Sequence, residues 1–260
     1  MLLAVDVGNT EIVMGVFRSS ELEWTWRLST QPERTADELA VLFAGLLSQR
    51  GLAFDSQITG VVVSSVVPAV TQALREMTAR YFAFPPLVVG PGTKTGLPIL
   101  TDNPREVGAD RVVNALAAVA RYGGPCVVVD FGTATTYDAI SARGELLGTV
   151  IAPGLQVSGA ALFSATARLP RVELAAPRHT IGKNTVEALQ SGIVLGTAAE
   201  VDGLVERIKG EIGGDAKVIA TGGLATLVIP HCRAVDEHDP WLTLEGLRLI
   251  FERNTGSHDE

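Results

Sequence analysis

Cysteine is almost missing from this chain: Cys126 and Cys232 are its only two in 260 residues. They lie far apart, each in or beside an apolar stretch, and read as reduced, packed thiols. His179, His231 and His238 have no ligand spacing with them, so a zinc-type cluster is not expected. Basic charge is also in short supply. The net charge of -8 argues against a general nucleic-acid binder, which presents a basic surface to phosphates. It leaves room for a phosphate-bearing ligand, because backbone N–H groups bind phosphate without a basic surface. No apolar run approaches the length needed to span a bilayer. The apolar stretch before Asp6 is too short for a signal peptide and has no basic leader, so a cytoplasmic protein is expected. No G-x-x-x-x-G-K-[ST] occurs, and no G-x-G-x-x-G follows a strand, so neither a Walker-type nor a Rossmann site is expected. No Ser/Gly-rich linker divides the chain.

What is present is a compact globular composition, 47% hydrophobic and 19% charged. The length suits one large domain or two ordinary ones, each able to bury a core. The run LLAVDV at 2–7 meets the turn signal Gly8-Asn9, and IVMGVF at 12–17 resumes as a second strand. Trp24 to Leu28 gives a third, its alternating Trp24 and Trp26 covering a sheet face. Thr35 with Glu38 has capping-box spacing and opens a helix of Leu39, Leu42, Phe43, Leu46 and Leu47 that Gly51 can end. ITGVVV at 58–63 reads as a buried strand entering Ser64-Ser65. A helix is expected from Pro68 to Tyr81 and a short strand at 87–89. Asn103 before Pro104 is a helix-start signal. Gly108 interrupts that helix, and a longer one runs from about Asp110 to Tyr122.

At Val127 the opening pattern returns. VVVDFGTATTYDAIS aligns with LAVDVGNTEIVMGVF when Asp130 is laid on Asp6, with a glycine two places after each aspartate. Two similar strand–turn–strand units, one near the start of each half, predict a duplicated fold. The boundary falls near 118–124, giving lobes of 1–120 and 121–260. The second half continues with a hairpin at Gly144, a strand from Leu147 to Ala152 and helical material over 154–167. A helix capped by Asn184, with Glu187 in the capping-box position, runs to about Lys209. KVIA at 217–220 enters Thr221-Gly222-Gly223, and an amphipathic helix spans Leu242 to Phe251. Gly192, Gly196, Ala198 and Ala199 permit close helix approach, either inside the lobe or at a dimer seam.

A hairpin with an acid at the end of its first strand can cradle phosphate: turn N–H groups point at the anion and small residues let the backbone approach. Asp6 can hold Mg²⁺ bridging the phosphates, with Asn9 and Thr10 as neutral donors. Gly132, Thr133 and Thr135 repeat the arrangement with Asp130 as the acid. Two such turns facing one another across a cleft would grip a triphosphate, and phosphoryl transfer is mostly positioning and charge neutralisation. Either turn alone is an ordinary feature of soluble proteins; the pair at equivalent places carries the reading. Asp110 is the candidate base for an acceptor hydroxyl, or else it caps its helix. Arg111 binds a substrate carboxylate or is a solvated charge.

Several segments in order, DVGNT at 6–10, GPGTKTGL at 90–97, DNPREVGADR at 102–111, DFGTATT at 130–136, APGL at 152–155, LPRVEL at 169–174 and GKNTVEAL at 182–189, resemble the type III pantothenate kinases over nearly the whole chain. The resemblance implies an α/β fold of duplicated RNase H-like, actin-like ATPase lobes, each a mixed sheet flanked by helices, with the active-site cleft between them. It implies ATP-dependent phosphorylation of pantothenate, the first step of coenzyme A synthesis. Asp110 would be the proton acceptor. Gly108, Ala109, Asp110, Arg111 and Thr185 would contact pantothenate. Asp6, Val7, Gly8, Asn9, Thr10, Glu11, Ile12 and Val13 would form the ATP phosphate loop, joined by Gly132 and Thr133. Asp130 would hold a monovalent cation, K⁺ or NH₄⁺, alongside Mg²⁺ held through ATP by Asp6. A homodimer is expected, with no nucleic-acid or membrane partner. One position departs: Thr101 stands where many members have a pocket-lining tyrosine. The rival readings are another small-molecule kinase of the superfamily and a non-catalytic nucleotide-binding regulator.

Overall fold

The structure, a computed structural model, describes residues 1–256 apart from 55, 83, 167, 168 and 214. Its contacts divide the chain into two compact units. The first holds Met1–Gly96, Arg105–Ala117 and the chain from Thr243 onward; the second holds Leu97–Pro104 and Ala118–Leu242. Among the described residues no helix is long and apolar enough to cross a membrane.

In the first unit the strands are β1 (Leu2–Val7), β2 (Glu11–Arg18), β3 (Glu21–Ser29), β4 (Gly60–Ser65) and β5 (Leu87–Val88). They form one sheet in the order β3-β2-β1-β4-β5. β1 and β2 are antiparallel, as are β2 and β3, while β4 and β5 add on parallel. Side chains alternate across a strand. Leu3, Val5, Val7, Ile12, Met14, Val61 and Val63 therefore share one face and pack on helices α1 (Ala36–Ser48) and α2 (Pro68–Tyr81) through Leu39, Phe43, Leu47, Leu74 and Met77. The start of α1 is the capping box read from the sequence: the Thr35 hydroxyl accepts from the Glu38 N–H, and the Thr35 N–H donates to the Glu38 carboxylate at 2.8 Å. The opposite face carries Asp6 and Gly15. A Cβ at Gly15 would overlap Leu244, and one at Gly60 would overlap Phe251, so both glycines admit helix α7 (Leu242–Thr255) against this face.

The second unit repeats the plan. Its strands β6 (Cys126–Phe131), β7 (Ala134–Ile140), β8 (Leu146–Pro153), β9 (Lys217–Thr221) and β10 (Glu237–His238) are ordered β10-β9-β6-β7-β8. Read from the other edge, this is the first sheet's order. The senses match as well: β6 is antiparallel to β7 and parallel to β9, and β10 is parallel to β9. Even the ladder irregularity between the second and third strands recurs, at Val16/Phe17 and at Ala139/Ile140. The duplication read from two aspartates is a duplication of the whole sheet. One face is filled by Val127, Val129, Phe131, Tyr137, Val218 and Ala220. They pack on helix α5 (Thr185–Ile212), with the short helix α6 (Ala225–Val228) completing the cluster.

The helix α3 (Ala109–Tyr122) follows a 3-10 turn at Pro104–Glu106, so the break expected near Gly108 is present. Helix α4 is Leu155–Ala165. Glu187 departs from the expected capping box: Asn184 does accept the Glu187 N–H, but the Glu187 carboxylate returns to the N–H of Lys183 at 3.0 Å, one residue earlier. That Lys183 N–H holds the Glu187 carboxyl below its usual range.

Candidate active site

The first hairpin, residues 7 to 12, is tied from inside and outside. Val7 pairs with Ile12, and the Gly8 N–H donates to the Glu11 carbonyl at 2.9 Å. Thr30 clamps the loop from the end of β3. Its hydroxyl donates to the Gly8 carbonyl at 2.7 Å and its N–H to the Thr10 carbonyl at 2.9 Å. Thr30 escaped the sequence reading because a lone threonine after a strand carries no motif. Asn9, Thr10 and Glu11 are exposed and Asp6 and Gly8 half-buried, so the tip offers its atoms to solvent. Val7 and Ile12 are different: both side chains lie in the core, at 1% and 0% exposure, and only their backbone can serve a nucleotide.

The second hairpin is one residue tighter. Phe131 pairs with Thr135, and the Gly132 N–H donates to the Ala134 carbonyl at 3.0 Å. Gly132 and Thr133 are exposed. Two glycines from distant sequence fit against this turn. A Cβ on Gly154, at the start of α4, would overlap the Thr133 and Gly132 carbonyls. A Cβ on Gly222 would lie 2.5 Å from Asp130 Oδ1 and 2.6 Å from the Phe131 nitrogen, and its φ of +97° is one that side chains avoid. The Thr135 hydroxyl does not repeat the first hairpin's donors. It lies across from Phe131 on the core face, fully buried and without a hydrogen-bond partner. The hydroxyl that stands opposite Asp130 belongs to Thr136, since the pairing alternates faces.

Asp110 is the second residue of α3. Its Oδ1 accepts the N–H of Arg111 at 2.9 Å, an N–H that is shared with the Gly108 carbonyl at 3.1 Å. The helix itself starts from the Gly108 carbonyl, which accepts from Arg111 and Val112. A Cβ on Gly108 would strike the Asp110 carboxylate, so the glycine makes room for that carboxylate to fold back. Ala109, Asp110 and Arg111 are all half-buried.

These residues fall into two groups. Asp6 through Val13 and Gly108 through Arg111 belong to the first unit; Asp130, Gly132, Thr133 and Thr185 belong to the second. Thr185 is exposed at the first position of α5. A groove of about 580 Å³ borders that helix start, lined in part by Arg178, Asn184, Val186, Glu187 and Gln190.

A model of the type III pantothenate kinase family matches residues 2–207. The chain belongs to that family. It is 58% identical over 255 residues to the type III pantothenate kinase of Acidothermus cellulolyticus, covering 98% of this chain and 99% of that one. It is 56% identical over 261 residues to the type III pantothenate kinase of Streptomyces griseus, covering 98% of each. Among solved structures, a putative 2-dehydro-3-deoxygalactonokinase from Sinorhizobium meliloti superposes with a TM-score of 0.58 over 100% of this chain and 99% of its own, at 14% identity. Likeness at that identity concerns fold alone, and the fold is that of the duplicated actin-like ATPases.

Oxygen chemistry dominates these turns. Asp6 offers a carboxylate, and beside it in register on β4 is Ser64, whose buried hydroxyl has no partner. Asp130 has Thr221 beside it on β9 and Thr136 on β7. Carboxylates and hydroxyls are the donors that hard cations such as Mg²⁺ and K⁺ take. The residues therefore fit the cations that the resemblance implies.

Proposed function

We propose that the chain transfers the γ-phosphoryl group of ATP to the primary hydroxyl of pantothenate, producing 4'-phosphopantothenate for coenzyme A synthesis. Its membership of the type III pantothenate kinase family over nearly its full length carries this reading.

The residues take roles that follow from their chemistry. Asp110 accepts the proton of the attacking hydroxyl. As that oxygen bonds to the γ-phosphorus, the bond to the bridging oxygen of ADP breaks, and ADP leaves with the electron pair. Gly108, Ala109, Arg111 and Thr185 contact the acceptor, with the Arg111 guanidinium directed at its carboxylate. The backbone from Asp6 to Val13 binds the phosphates through the turn N–H groups, and Gly132 and Thr133 add donors of their own. Mg²⁺, held through ATP near Asp6, supplies charge neutralisation of the triphosphate; a monovalent cation would sit at Asp130.

A homodimer also belongs to this reading. Val157, Leu162 and Phe163 on α4, with Val186 on α5, are large apolar side chains at 40% exposure or more. A Cβ added to Gly192 or Gly196 on α5 would meet nothing within 4 Å, so lobe packing does not account for these glycines. Exposed apolar surface of this kind suits a second copy of the chain. Sedimentation should give twice the chain mass, and charge placed at Phe163 should give the monomer.

The test of activity is a coupled ADP assay with and without pantothenate, first in K⁺ and then in Na⁺. ADP release should require pantothenate and fall in Na⁺. A panel of sugars and small acids as acceptors should give no comparable rate. Equal rates on another acceptor would move the chain to a different kinase of the superfamily.

A further inference from the structure

Ser64 is the next-to-last residue of β4, beside Asp6, and among the described residues its hydroxyl has no partner. The side chain is 0% exposed, and its Oγ forms no hydrogen bond. Its neighbour Ser65 shows what a serine at a strand end ordinarily does. The Ser65 Oγ accepts the Val67 N–H at 3.1 Å and the Thr71 hydroxyl at 2.7 Å. Ser64 has no such use. A buried hydroxyl without a hydrogen bond is costly, and such groups are rare.

Its direction follows from the sheet. β1 and β4 run parallel with Asp6 opposite Ser64, while Val5, Val7 and Val63 fill the core face. The alternation of a strand puts Asp6 and Ser64 on the other face, side by side at the strand spacing of about 5 Å. The Ser64 hydroxyl forms no bond to Asp6 among the described residues, and two oxygens on neighbouring strands suit one water molecule that donates to both. The second unit repeats the pairing: Thr221, 2% exposed, stands beside Asp130 in the same parallel register. Each acid at a β1-type strand end thus has a buried hydroxyl from the β4-type strand at its side.

We propose that Ser64 is a positioning residue for the divalent cation, its Oγ accepting a hydrogen bond from a coordination water whose other hydrogen goes to the Asp6 carboxylate. The inference rests on the reading of the Asp6 turn as the Mg²⁺-ATP site. A water on a cation has both hydrogens to donate and no lone pair to spare, so two neighbouring oxygen acceptors are what it requires. Ser64 touches neither ATP nor pantothenate; it acts on the cation's hydration shell.

The test compares Ser64→Ala, Ser64→Thr and the wild type without turnover. Water-proton relaxation measures binding of Mn²⁺ with a non-hydrolysable ATP analogue, and calorimetry in EDTA measures the analogue alone. Ser64→Ala should weaken the Mn²⁺ complex about fivefold, the scale of one hydrogen bond, while cation-free affinity and the melting temperature of the unliganded protein stay unchanged. Ser64→Thr keeps a hydroxyl, as Thr221 has, and should retain wild-type Mn²⁺ binding. Should Ser64→Ala fold poorly, the isosteric pair Ser64→Thr and Ser64→Val isolates the hydroxyl in the same way. Equal Mn²⁺ affinity in the alanine variant overturns the inference, and so does an equal loss in EDTA, which would assign the hydroxyl to an ordinary water. A wild type with no cation-dependent nucleotide binding instead overturns the reading of the Asp6 turn itself.

Discussion

A carboxylate folded over a glycine opens α3. Gly108 leaves space for Asp110, and the Arg111 N–H fixes one of its oxygens at the opening of α3. Asp110→Asn keeps that shape and removes the carboxylate proposed as the proton acceptor, so turnover should fall about 10²–10⁴-fold. Binding of the ATP analogue, followed by calorimetry, should not change. Undiminished turnover would take Asp110 out of the mechanism. Gly222 plays the same spatial part beside Asp130, with a positive φ in addition. Gly222→Ala forces an unfavourable backbone and an overlap together, which should cost about 1–3 kcal/mol, readable as a lower urea midpoint. The sequence showed Asp110 and Asp130 as candidates because acids beside glycines are visible as text. That the glycines are there to seat the acids needed coordinates, because Gly222 and Asp130 are far apart in the chain.

At the scale of elements, the two hairpins are built alike and held differently. Thr30 straps the first, and Gly154 and Gly222 underlie the second. Thr30→Ala removes the hydroxyl that fastens the Gly8 carbonyl. The loop should loosen, and the KM for ATP should rise about threefold, the worth of one ordinary hydrogen bond, with kcat little altered. A kcat loss at unchanged KM would point to some other role. Most long elements were legible beforehand: apolar runs meeting turn signals gave β1 and β2, the return of that pattern gave β6 and β7, and caps at Thr35 and Asn184 gave the starts of α1 and α5. Short elements were legible only in part: the strand expected at 87–89 is β5, Leu87–Val88, but two others were missed. β10 is two exposed residues, Glu237 and His238, and α6 is a single turn; neither has length enough for periodicity to register. Thr135 was misassigned for a related reason. The tighter turn shifts the alternation by one, so Thr135 faces the core and Thr136 lies on the other face with Asp130.

Across the whole chain, repetition was the strongest sequence signal, and it extends to strand order, strand sense and the ladder irregularity. The buried polar groups of the second unit set its response to alkali. Burial pushes the Cys126 thiol from 9.0 up to about 12 and the Cys232 thiol to about 11. Burial, with the Glu200 carboxylate that its hydroxyl meets at 2.9 Å, raises Tyr137 as well. Groups whose pKa rises on folding contribute stability that is complete below their unfolded values. Melting temperature should therefore hold up to about pH 9 and fall steadily from there toward 12. The same burial should leave both thiols unreactive to iodoacetamide at pH 8 until the protein is unfolded.

Gly154 has one more consequence. It caps α4 with its Cα directly against the carbonyls of Gly132 and Thr133, so the helix start and the turn are packed without a gap. If the proposed dimer contact lies on the exposed side of that helix, a charge placed at Phe163 should change ATP affinity as well as oligomeric state.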